Sequence, residues 1–126
     1  MLRRLSVRNL AVLAGGEIEL GPGLNVLTGE TGAGKSLVVD SLALLAGARA
    51  AGDLIREGTE GATVSGIFEC DAALQARLLE AGIEVEEEEL VIRREISREG
   101  RNRVFVQDQP VTLRLLQELA PRLLRI

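Results

Sequence analysis

Histidine, tryptophan and tyrosine are missing from the 126 residues altogether, and cysteine and lysine occur once each. Each absence excludes a chemistry. Without histidine there is no imidazole general base and no mixed Cys/His zinc site. The lone Cys70 has no intrachain partner, so nothing points to an oxidising compartment, and its place after a strand-like run reads as a small buried apolar residue. Two phenylalanines are the only aromatic residues, too few for a platform on which nucleic-acid bases stack. No apolar run reaches the ~18 residues of a membrane span. The N-terminal MLRRLSVRNLAVLAGG is interrupted by Arg8 and Asn9 and runs into strand-like alternation, unlike a secretory signal. A soluble, cytoplasmic protein is the expectation.

What is present fits one domain or part of one. The chain is 46% hydrophobic, and fifteen basic against nineteen acidic residues give a net charge of -4, so no polybasic surface dominates and any DNA contact is local. Leu2, Leu5, Val7, Leu10 and Val12 form a β-like pattern with one irregular step. Glu17 to Leu20 alternates cleanly, and Ala14-Gly15-Gly16 reads as the turn between two strands. Gly21-Pro22-Gly23 breaks the chain before LNVLT, a short run of the buried-strand type. The spacing then predicts a helix from Lys35 to Ala46 capped at Gly47, and a loop over 48–61. It also predicts a strand in ATVSGIFEC, and a helix from Ala72 to Ala81 capped by Asp71 and ended by Gly82. A hairpin follows in LVIRREISREGRNRVFVQ, turning at Glu99-Gly100. A last helix runs from a Thr112 cap through Leu119, and Pro121 precedes RLLRI, which resembles the start of another strand. The acidic run Glu86 to Glu89 reads as a solvated loop, because consecutive loop carboxylates do not converge on a hard cation.

The one lysine marks the chemistry. GETGAGKS, Gly29 to Ser36, matches GxxxxGK(S/T) in full between an expected strand and an expected helix. Gly29, Gly32 and Gly34 allow left-handed backbone and turn N–H groups inward, and the helix N-terminus adds its positive end, so the loop is a phosphate cradle. Lys35 supplies a compact ammonium for the β- and γ-phosphates where a planar guanidinium is too wide, and the Ser36 hydroxyl suits Mg²⁺. A nucleoside triphosphate with Mg²⁺ is the expected ligand. A guanine-reading Asn-Lys-x-Asp segment cannot occur here, because Lys35 is the only lysine. Two strands ahead of the phosphate-binding strand make an antiparallel layer of the kind typical of ABC-type ATPases. The expected fold class is therefore an α/β P-loop NTPase with that ABC-type β-layer, and the family resemblance carried by the rest of the chain implies an ABC/SMC-type head lobe.

Beyond the phosphate loop, GLNVLTGETGAGKS, LLAGARA, LIREG, LVIRREIS, GRNRVFV and PVTLRLLQEL together resemble the N-terminal head segment of the RecN family, bacterial double-strand-break repair ATPases of the SMC superfamily. The resemblance implies that residues 1–126 are the N-terminal lobe of an ATPase head whose C-terminal lobe lies beyond a long coiled coil. It implies that two heads sandwich ATP and that hydrolysis separates them, in DNA repair and recombination close to the nucleoid. By this match Gly29, Glu30, Thr31, Gly32, Ala33, Gly34, Lys35 and Ser36 hold ATP, with Lys35 also catalytic and Ser36 on Mg²⁺. Arg8 and Asn9 resemble an RN pair near the base and α-phosphate, and Arg56 resembles a loop arginine that approaches nucleotide or DNA. The implied partners are the C-terminal lobe, a second head and DNA. The chain has no Asp-Glu-ended hydrophobic run and no LSGG-like signature, so it is expected to be inactive alone. Two alternatives stay open: the head of another SMC-like or RecF-like ATPase, and ATP acting mainly as glue for dimerisation. Arg93, Arg94, Arg98, Arg101 and Arg103 on the hairpin form a candidate DNA-tracking cluster, weighed against a solvated edge paired with Glu95 and Glu99.

Overall fold

A six-stranded antiparallel sheet, in which buried and less buried residues alternate most regularly along the central strands, is covered on its apolar face by the three described helices. The computed structural model describes residues 2–10, 13–19, 32–49 and 54–123. The elements are β1 (Leu2–Leu10), β2 (Leu13–Glu19), α1 (Gly32–Leu45), β3 (Gly61–Glu69), α2 (Ala72–Glu80), β4 (Glu89–Ser97), β5 (Asn102–Val106), β6 (Gln109–Val111) and α3 (Leu113–Leu123). The strands lie in the order β2-β1-β3-β4-β5-β6, every pair antiparallel. The Gly21-Pro22-Gly23 break, the expected strand over Leu24–Thr28, Gly29 to Thr31 of the phosphate loop and the last three residues lie outside the described residues.

β3 and β4 show the alternation most plainly. Ala62, Val64 and Phe68 are buried on one face of β3, and Leu90, Ile92 and Ile96 occupy the same face of β4. Gly66 shares that face and lets α1 come close, since a Cβ there would stand 2.8 Å from Leu45 Cδ1 and from the Phe68 ring. Leu44 and Leu45 of α1, Leu74 and Leu78 of α2, and Leu116, Leu119 and Leu123 of α3 complete one continuous core. The irregular step in β1 resolves into two local departures. The pairing with β3 slips between Leu2 and Arg4. Asn9 has φ +55, and Leu10, out of phase with Leu5 and Val7, is fully buried.

Caps stand where the sequence puts them. The Asp71 carboxylate accepts from Leu74 N at 2.8 Å, a cap worth about 1 kcal/mol, and Gly82 (φ +81) follows the end of α2. Gly47 (φ +97) closes α1, and Thr112 Oγ1 accepts from Leu115 N at 3.1 Å to open α3. Gly100 (φ +86) turns the β4–β5 hairpin. Cys70 is buried immediately after β3. Glu86 to Glu88 are an exposed connection, with Glu87 and Glu88 at positive φ, while Glu89 is already the first residue of β4.

Four expectations are corrected. Ala14-Gly15-Gly16 are inside β2, not a turn: Leu13 pairs with Leu10, and Gly15 and Gly16 face Arg8 and Val7. α1 begins at Gly32, one turn earlier than Lys35, so Gly32 and Gly34 are helical and do not take left-handed backbone. α3 continues through Pro121 to Leu123, losing the N–H that would meet the Gln117 carbonyl and ending two residues later, so Arg122 and Leu123 are helical and not the start of a strand. A short edge strand, β6, follows β5 across Gln107 and Asp108, both at positive φ as a two-residue hairpin turn requires.

Candidate functional site

The helix that carries the phosphate motif begins inside it. Gly32, Ala33, Gly34 and Lys35 form the first turn of α1, with Ser36 next, and no acidic residue occupies that turn. Backbone N–H groups in a first turn have no intrahelical acceptor and sit at the positive end of the helix dipole, so this end favours an anion. A lysine and a serine in succession, with no carboxylate among the helix's first residues, are a donor set that fits a Mg²⁺-bound phosphate chain. Gly29, Glu30 and Thr31 lie outside the described residues, as do the side chains of Lys35 and Ser36.

The other three candidates are described, and two of them meet. The backbone N–H of Arg56 donates to the Asn9 carbonyl at 2.7 Å, next to an isolated antiparallel bridge between Leu10 and Ile55. The end of β1 is thereby tied to the segment that follows α1. Arg8 is not part of this junction. Its side chain is exposed, its strand partners are Thr63 and Gly15, and it lines a shallow open concavity of about 500 Å³ with Ser6, Glu17, Thr63 and Ser65. That concavity is on the sheet face away from α1.

The arginines of the β4–β5 hairpin are not one cluster. Arg94 is fully buried on the core face and donates from Nη1 to the Leu44 carbonyl at 3.0 Å and to the Ala48 carbonyl. Burial pushes its pKa below the ordinary guanidinium value, although arginine stays charged. Arg93 stacks 4.4 Å from the Phe105 ring centroid and pairs with Glu95 and Asp108. Arg98 donates to the carbonyls of Arg56, at 2.8 Å, and Thr59, and so pins the loop that bears Arg56. Arg101 and Arg103 alone of the five are exposed without such contacts. A DNA-tracking row of five is therefore not what the hairpin presents, and the solvated-edge view holds for Arg93 with Glu95 but not for Arg94.

From the sequence Arg94 and Arg98 stand out only as members of the candidate DNA-tracking cluster, and Gln117 does not stand out at all. A signal for Arg94 existed: Leu90, Ile92, Arg94 and Ile96 share one parity, which puts the arginine on the core face. No comparable signal marks Gln117, whose Nε2 donates to the Gly47 carbonyl at 3.0 Å. Among the described residues no group of carboxylates or cysteine could hold a metal, and no helix is long and apolar enough to cross a membrane.

Comparison with known proteins agrees with this architecture. The AAA domain family matches residues 4–118. The DNA repair protein RecN of Xylella fastidiosa (strain Temecula1) is 39% identical over 127 residues, covering 100% of this chain and 23% of its own length. RecN of Streptomyces coelicolor is 42% identical over 124 residues, covering 97% of this chain and 22% of its own. The chain thus spans less than a quarter of the curated relatives it matches. Among solved structures, a chain from work on ATP-driven dimerization and DNA-stimulated activation of SMC ATPases superposes with a TM-score of 0.73 at 21% identity, over 98% of this chain and 81% of that one. The SMC head domain from Thermotoga maritima gives 0.67 at 21% identity, over 93% and 41%. The recombination mediator RecF bound to an ATP analogue gives 0.68 at 18% identity, over 92% and 29%. At these identities the structures establish the fold.

Proposed function

Because the chain belongs to the AAA domain family, as a head lobe of the RecN and SMC kind, we propose that it binds Mg-ATP through Gly29 to Ser36 and is the N-terminal lobe of a RecN-like ATPase head acting in DNA double-strand-break repair. The single observation that carries the nucleotide reading is α1, which starts at Gly32 within GETGAGKS with no acidic residue in its first turn. The backbone of that turn would receive phosphate oxygens, Lys35 would offset their charge, and Ser36 would hold Mg²⁺. A Mg²⁺ ion held by Ser36 would supply charge neutralisation to the phosphate oxygens. Asn9 and Arg56, joined by their backbone bond, would approach the nucleotide as the RecN resemblance implies.

The remaining parts of the reading come from the RecN-like sequence. A C-terminal lobe of the same head would supply the acidic pair and the signature segment, and a second head would close over ATP, with DNA as the whole protein's partner and the cytoplasm as its place. Calorimetry with Mg-ATP tests the core of the proposal, comparing the chain with Lys35→Ala, alone and with the C-terminal lobe added. The expected result is lysine-dependent binding that strengthens with the second lobe and falls at least tenfold in the variant. Binding indifferent to Lys35→Ala overturns the phosphate-loop assignment; tight binding unaffected by the second lobe overturns the half-site.

A further inference from the structure

The last turn of α1 carries no basic residue of its own, although carbonyls at a helix C-terminus lack intrahelical donors and gather the negative end of the dipole. One carbonyl of the last turn, that of Leu44, which also accepts from Gly47 N at 3.1 Å, and two just past the helix, those of Gly47 and Ala48, take donors from distant elements. Arg94 on β4 donates from Nη1 to Leu44 and Ala48, and Gln117 on α3 donates to Gly47. Gly47 has to be a glycine for this: its φ is +97, and a Cβ would overlap the Gln117 side chain.

Arg94 is a costly way to hold the site. It is fully buried, and its Nε and Nη2 have no hydrogen-bond partner among the described residues. An apolar residue in phase with Ile92 and Ile96 would avoid that desolvation, since replacing buried ionic groups by well-packed apolar ones is often neutral or stabilising. What the guanidinium supplies, and an apolar side chain cannot, is a directional hold on α1. The helix runs 14 residues, roughly 20 Å at 1.5 Å per residue, so a tilt of about 3° at the held end moves the first turn by about 1 Å. Displacements of that size are enough to cost binding or catalysis heavily.

We infer that Arg94 is a positioning residue for nucleotide binding: from β4 it fixes the C-terminal end of α1 and thereby the placement of Lys35 and Ser36 at the other end, with Gln117 as the second anchor. The inference rests on the Mg-ATP reading above. Its test is the Mg-ATP dissociation constant of the intact protein, taken by calorimetry with stoichiometry reporting the folded fraction, alongside the melting temperature without nucleotide. Arg94→Met is expected to bind Mg-ATP at least tenfold more weakly per folded molecule. Arg94→Lys, which keeps a donor for the same carbonyls, should lie between it and the wild type. A wild-type dissociation constant in Arg94→Met overturns the inference, whatever the melting temperature. If Arg94→Met does not fold, Arg94→Lys and Gln117→Ala decide: a threefold or greater weakening in both supports the inference, and wild-type affinity in either overturns it. A wild-type protein without Lys35-dependent Mg-ATP binding removes the nucleotide reading and this inference together. Lys35-dependent binding that ignores Arg94 removes this inference alone.

Discussion

The backbone N–H of Arg56 donates to the carbonyl of Asn9 at 2.7 Å, and Asn9 holds the left-handed backbone, φ +55, in the strand that this bond extends. Asparagine tolerates that region better than residues with branched side chains, which clash with the neighbouring carbonyl. Asn9→Gly is therefore expected to change stability by no more than about 0.5 kcal/mol, whereas Asn9→Val loses about 1–2 kcal/mol. Urea denaturation of the two variants checks this. A valine variant as stable as the wild type would mean that the strand does not need the left-handed step.

Residues with local rules behind them were legible from the sequence. Asp71 and Thr112 cap helices, Gly47 and Gly82 end them, and Gly100 turns a hairpin, because capping and positive φ are set by a few adjacent atoms. The start of α1 inside GETGAGKS was legible to within one turn. What escaped depends on partners far along the chain. Ala14 to Gly16 look like a turn by composition, yet become strand because β1 offers them Val7 and Arg8. β6 escaped because it is three residues long and contains Pro110, which an edge strand tolerates when its missing N–H points away from the neighbour. Arg94 was misplaced because a charged side chain is rarely buried, and the carbonyls that draw it inward lie 46 to 50 residues earlier.

Cys70 gives a pH dependence of definite sign. Burial, with smaller contributions from the Asp71 and Glu88 charges, pushes its thiol pKa up. Folding thus favours the protonated thiol. The associated stability is fully present below the unfolded thiol's pKa, roughly 8.5, and is lost as pH rises from there through the folded value, by at most about 1.4 kcal/mol per pH unit. Between pH 7.5 and 9.5 the wild type should lose more stability than Cys70→Ala, and the native thiol should react with a disulfide reagent far more slowly than the unfolded one. Equal pH profiles for the two proteins, or a native thiol as reactive as the denatured one, would contradict this assignment.

The hairpin arginines set an upper limit on DNA contact by this segment. Arg94 is buried under α1, Arg93 is held by Phe105, Glu95 and Asp108, and Arg98 is held by the carbonyls of Arg56 and Thr59. Arg101 and Arg103 are the two of the five left exposed without such contacts. Each phosphate neutralised on duplex DNA contributes about 0.9 to the slope of log K against log salt. Replacing both Arg101 and Arg103 by glutamine in the intact protein should therefore remove the hairpin's whole share of that slope, no more than about 1.8, and adding Arg93→Gln should change it no further; a row of five arginines would contribute roughly 4.5 and lose about another 0.9 with Arg93→Gln. Binding titrations across a salt series distinguish the two. A further fall in slope on adding Arg93→Gln would require Arg93 to leave Glu95, Asp108 and the Phe105 ring when DNA arrives.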